Sequence, residues 1–199
     1  MGFDLYGVNP KIKKGTAKPK AIDWRTTTDE EKQEYFEAVE KFEETNKGVY
    51  FRNNVWWWRP LANFIFEETK CVEENEKDNW HFNDGHLVNE ETANMIAQQL
   101  KYLIKSGRVD EYCVYHSKKV KEAKKHNKKL EVLFNDLKKI VIKKTGIKDI
   151  APRDYPKEEK EMWDNIYSQR QPVENYPFSK KNVEEFIEFA ENSGGFRIS

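Results

Sequence analysis

The 199 residues hold only two cysteines, Cys71 and Cys113, and neither stands in a paired motif. That scarcity excludes a disulfide scaffold and points to reduced thiols in a cytosol. Long apolar runs are also missing, since no stretch approaches the roughly 20 residues of a membrane span. The start MGFDLYGVNP has no basic region followed by an apolar one, so no secretory signal is expected. Tyr6 stands where a myristoylation motif beginning at Gly2 wants Ser or Thr. Net charge is lacking as well. Thirty-five basic residues balance thirty-five acidic ones, so the field of the whole chain favours neither nucleic acid nor an anionic membrane. GxSxG, the phosphate-binding GxxxxGKS/T, HExxH and the Rossmann glycine pattern are absent, which lowers the expectation of an enzyme without excluding one. These deficits describe a cytoplasmic single domain, 1–199, with no cofactor.

Charged residues make up 35% of the chain, and aromatics at 14% supply core area that the thin aliphatic complement does not. The elements predicted are mainly α with a minor β contribution from the two ends. FDLYGV (3–8) reads as a strand ending in the Asn9-Pro10 turn. Lys11–Lys20 is a loop, and Thr28 with Glu31 forms a capping box for a helix over 29–46 with Tyr35, Phe36, Val39 and Phe42 on one stripe. Residues 51–54 read as extended. A helix then starts at Trp56 or later, or is kinked at Pro60, and runs to Thr69. An acidic linker fills 71–79. Asn89 caps a helix over 90–106 that stops at Gly107.

The next pattern is the longest. Val109, Cys113, His116, Val120, Ala123, Asn127, Leu130, Phe134, Leu137 and Val141 alternate four- and three-residue steps, a heptad seam on a helix over about 109–145. Such a seam packs within the domain, against a helix at 157–170, or joins copies as a homo-oligomer. His116 and Asn127 weaken it as a free-standing coiled coil. A helix over 180–192 and an extended tail, Phe196–Ile198, close the chain.

The least probable segment by composition is YFRNNVWWWRPL, residues 50–61. Three consecutive indoles on a helix sweep some 200° of arc, so Trp56, Trp57 and Trp58 cannot share one core face. Indoles stack on bases, guanidinium forks grip phosphates, and amides read polar edges. Arg52, Asn53, Asn54, Trp56, Trp57, Trp58 and Arg59 are therefore the candidate ligand-binding residues, with the early N–H groups of the helix completing an anion site. The plainer reading puts Trp57, Leu61, Phe64 and Ile65 in a core.

Two further constellations are weaker. WHFNDGH (80–86) offers His81, Asp84 and His86 as acid–base groups, with Asp4 another acid beside a turn glycine. Trp80 and Phe82 occupy oxygen-ligand positions of a calcium loop, so a turn with a helix cap is the simpler reading and no metal is assigned. Residues 101–148 carry fourteen lysines and Arg108 against five acids. That run reads as a solvated face, and nucleic acid is not the expected partner.

The start MGFDLYG with Asn9-Pro10, the YFRNNVWWWRPL block, Asn83-Asp84-Gly85 with Leu87, and the ending from Asn182 through Ser193-Gly194-Gly195-Phe196-Arg197-Ile198 resemble a family of small proteins encoded by phages and bacterial genomes. The resemblance covers about a quarter of the residues. Two departures stand out: an insertion over 11–48 (loop plus helix), and Phe3 where the family has methionine. The resemblance implies a phage or prophage setting in a host cytosol, and it brings no activity or catalytic residues. Three readings follow. The first is a non-catalytic protein that captures an anionic, nucleotide-derived small molecule, in that setting a host immune signal. The second is an enzyme acting on a nucleotide or other phosphorylated substrate. The third is a protein–protein adaptor or inhibitor of a host protein.

Overall fold

Two-residue alternation builds the sheet. In strand β1 (Gly2–Gly7) Phe3 and Leu5 are buried, while Asp4 and Tyr6 face the opposite side. Strand β2 (Tyr50–Asn54) buries Phe51, and Phe196 and Ile198 do the same in β4 (Phe196–Ile198). The computed structural model describes residues 2–199, so Met1, which heads the family-like start, lies outside the described residues. A fourth segment, His86–Val88 (β3), is also a strand. With β2 it corrects the expectation of strand-like segments at the ends alone; the three residues of β3 are too few to show a period. The four strands are antiparallel in the order β2-β1-β4-β3.

The chain divides into two compact units, one running up to Cys113 and rejoined by Phe178–Ser199, the other Val114–Pro177. In the first unit the sheet's inner face packs on three helices, α2 (Val55–Thr69), α3 (Glu90–Lys105) and α6 (Lys180–Asn192). The core joins Phe3, Phe51, Trp58, Trp80, Phe186 and Phe196 to aliphatic residues of those helices. Asn89 caps α3 by accepting from the Thr92 N–H, as its position predicts.

Residues 11–48 are a loop and the helix α1 (Asp29–Thr45), inserted between two adjacent strands of the sheet. The capping box forms. The Thr28 hydroxyl accepts from the Glu31 N–H, and the Glu31 carboxylate accepts from the Thr28 N–H. The predicted stripe is only partly inward. Phe42 is buried, but Phe36 is exposed and lies against the ring of Trp24 at 5.5 Å. The return from α1 is tight. A Cβ on Gly48 would meet the Asn192 carbonyl oxygen at 2.0 Å, and one on Gly7 would meet the Gly48 carbonyl oxygen at 2.0 Å.

In the second unit helix α4 (Arg108–Thr145, entering from the first unit) meets a returning segment that contains α5 (Lys157–Ser168). Leu137 and Val141 pack on Tyr155, Trp163 and Ile166, and the Phe134 ring lies 4.2 Å from that of Trp163. The polar seam residues have specific partners. The Asn127 amide donates to the Gln171 carbonyl and accepts from its N–H, both at 2.9 Å, and His116 Nε2 donates to the Tyr176 carbonyl at 2.5 Å. After α5 the chain forms only a short 3-10 turn (Pro172–Asn175), so flanking backbone groups at Gln171 and Tyr176 need side-chain partners, and the seam supplies them. Every seam position is buried or half-buried within the chain itself. No helix among the described residues is long and apolar enough to cross a membrane.

Candidate functional site

The three indoles part as the helical sweep requires. Trp58 is fully buried, Trp57 half-buried and Trp56 45% exposed. The core member is therefore Trp58, not Trp57 as the plainer sequence reading had it. Helix α2 begins at Val55, one residue earlier than expected, and Trp58 shares its buried side with Leu61, Phe64 and Ile65, three, six and seven residues on. Pro60 is the sixth helical residue, so one backbone hydrogen bond is forgone inside the helix.

The remaining residues of the block separate by strand alternation. Asn53 points inward, where its amide donates to Asn182 Oδ1 of α6 at 3.0 Å. Asn54 caps α2, its side-chain oxygen accepting from the Trp56 and Trp57 N–H groups at 3.0 and 3.2 Å. Those are two of the N–H groups expected to receive an anion, so the cap takes that place. Arg59 lies near enough to His81 for its charge to act on the imidazole. Burial first, and the Arg59 charge second, hold the His81 imidazole below its ordinary pKa, with Asp78 opposing them.

The two sequence constellations meet through the core rather than at a cleft, because Trp58 stacks on Trp80. His81 lies edge-on to Phe66, Asp84 stands exposed in its turn, and His86 opens β3 opposite Ile198. No group of three His, Cys, Asp or Glu side chains able to hold a metal occurs among the described residues.

The outer face of the sheet is a different matter. Tyr50 pairs with Tyr6, Tyr6 with Arg197, and Arg197 with Leu87, so one row of outward side chains crosses all four strands. At about 4.8 Å per strand the row is about 14 Å long. The Tyr6 and Tyr50 rings lie 5.2 Å apart, and Tyr6 is 49% exposed. Beside them Asp4 accepts a short hydrogen bond from the Tyr50 hydroxyl and an ion-pair contact from Arg52 Nε at 3.5 Å. The Arg52 side chain stays 70% exposed. A cleft of about 230 Å³ opens at the β2 edge, lined by Lys47, Tyr50, Arg52 and Glu188 among others.

Neither a family model, nor a curated protein, nor a solved structure matches this chain. The site therefore rests on its own chemistry. Burial, then the hydrogen bond to Asp4, pushes the Tyr50 phenol well above its ordinary value. The Tyr6 phenol is raised by burial and by the nearby Asp4 and Glu43 charges. Both rings are neutral at physiological pH. Arg197 Nη1 donates to the Gly85 carbonyl at 2.8 Å, which holds the guanidinium toward the β3 side of the row.

Of the candidate ligand-binding residues, Arg52 and Asn54 lie on this face, and the Asn54 side-chain oxygen is engaged in the helix cap. Tyr6, Tyr50, Leu87 and Arg197 were missed, although the alternation in FDLYG and FRI already sets Asp4, Tyr6 and Arg197 outward. Their assembly into one row is a matter of strand order.

Proposed function

We propose that the outer sheet face captures a nucleotide-derived anion without turning it over. The observation that supports this is the row Tyr50, Tyr6, Arg197, Leu87 beside an exposed Arg52 fork. A base stacks on the Tyr6 ring, a sequence-tolerant contact of about 1–3 kcal/mol. The free nitrogens of Arg52 take a phosphate in two-point fashion. Asp4 holds Tyr50 and Arg52 in place, and neutral phenols do not repel the anion. His81, Asp84 and His86 form no common cluster, which favours binding over turnover. In the phage or prophage setting implied by the family resemblance, such capture sequesters a host immune-signalling nucleotide.

Native mass spectrometry of freshly purified protein, followed by denaturing release, identifies the bound molecule and shows it intact. Calorimetric titration with ribonucleoside mono- and diphosphates then measures the face directly. Arg52→Ala and Tyr6→Ala each weaken binding at least about 10-fold, equivalent to about 1.4 kcal/mol, with unchanged circular dichroism. Arg59→Ala has no effect. Binding that survives both face substitutions, or conversion of the ligand, defeats the proposal.

A further inference from the structure

The zero net charge conceals a segregation. Residues 114–177 hold sixteen lysines and arginines against ten acids, a net +6, and the rest of the chain holds nineteen against twenty-five, a net −6. Much of the excess lies on one side of α4. At about 100° per residue, Lys118, Lys121, Lys124, Lys125, Lys128 and Lys129 fall in an arc opposite the buried His116, Ala123, Asn127 and Leu130.

All six lysines are exposed, and none forms an ion pair among the described residues. The contrast lies within the same unit, where Lys139, Lys144, Lys160 and Arg170 each meet a carboxylate. Like charges three and four residues apart on a helix repel, so this arc is destabilised until an external anion covers it.

We infer that this stripe docks the phosphate backbone of a nucleic-acid duplex. The six side chains span about 17 Å of helix axis, and a duplex of that length presents about ten phosphates. Lysine offers point charges rather than planar forks, so the contact is to the backbone and indifferent to base sequence. A bilayer surface fits less well. A helix lying on a membrane needs an apolar face to insert, whereas the apolar seam of α4 is buried and no large apolar side chain is exposed between Lys118 and Lys129. The stripe lies wholly in the second unit, and the sheet residues proposed above lie wholly in the first.

The test is fluorescence anisotropy of the full chain with a labelled random duplex of about 20 base pairs, as DNA and as RNA. Six phosphate contacts predict a log–log salt slope of about −5 and a loss of about 1,000-fold in affinity between 50 and 200 mM NaCl. The combined variant Lys121→Glu, Lys125→Glu and Lys128→Glu binds at least about 30-fold more weakly at 100 mM, with helicity retained. The control Lys13→Glu, Lys14→Glu and Lys20→Glu, with the same total charge change in the first unit, stays within about 2-fold. Binding of DNA alone or RNA alone that is lost in the stripe variant supports the inference and identifies the source. Equal weakening by both variants overturns it. So does capture on phosphatidylserine vesicles without duplex binding, or no duplex binding at 50 mM salt.

Discussion

The indole N–H of Trp58 donates to the main-chain carbonyl of Trp80 at 2.6 Å while the two rings stack 5.7 Å apart at an interplanar angle of 11°. One contact thereby ties the aromatic block of α2 to the end of the 3-10 helix Glu74–His81 that precedes β3. The same indole lies against Phe3 of β1 and Phe186 of α6, so it joins sheet, helix and loop.

Truncating that ring should be costly. Trp58→Ala lowers stability by about 3–5 kcal/mol through lost burial and a residual cavity. Trp58→Phe keeps most of the ring but strands the Trp80 carbonyl, at about 1–3 kcal/mol. Trp56→Ala, two residues away and on the exposed side, stays within about 0.5 kcal/mol. Urea unfolding of the three variants checks the order, and equal losses at Trp56 and Trp58 would contradict it.

The Asn54 cap makes a second, smaller prediction. Asn54→Ala should cost about 1 kcal/mol, because two N–H groups of α2 lose their acceptor, whereas Asn54→Asp retains it. The urea midpoint reports the difference. An unchanged midpoint in Asn54→Ala would mean that the cap contributes nothing.

A third concerns pH. Arg108 grips Glu68 at two points, Nε to Oε2 at 2.9 Å and Nη2 to Oε1 at 2.6 Å. Those hydrogen bonds hold the Glu68 carboxyl below the usual carboxylate pKa, against the opposing effect of burial. The unfolded chain therefore takes up this proton first as the pH falls. The stabilisation is fully present above a pH of about 4.3 and is lost as the pH drops through the lowered folded-state value. Glu68→Gln should be less stable than wild type by about 1 kcal/mol at neutral pH, with the gap closing below about pH 4. Denaturation series at several pH values decide it, and a gap constant from pH 7 to pH 3 would refute the pairing.

Much of the helical architecture was legible because its signals are local. The Thr28 capping box, Asn89, the seam from Val109 to Val141 and the stop at Gly107 each act within a few residues, and each appears where the sequence puts it. Residues 86–88 were not legible, since so short a strand exists only by pairing with β4, whose residues lie more than 100 positions later. The site was less legible still. Arg52, Asn53 and Asn54 are consecutive, which suggested one pocket, but β2 sends Arg52 outward and Asn53 inward, and Asn54 is spent on the helix cap.

The sequence by itself determined that Trp56, Trp57 and Trp58 must diverge, because 100° per residue admits no other outcome on a helix. It also determined which side chains of β1 and β2 share a face. Tertiary structure alone decided that Tyr6, Tyr50, Arg197 and Leu87 stand in one row, and that His116 and Asn127 bind the backbone returning after α5. Those relations join residues far apart in the chain, and strand order and helix docking are set by the burial of the whole core, which no local pattern encodes.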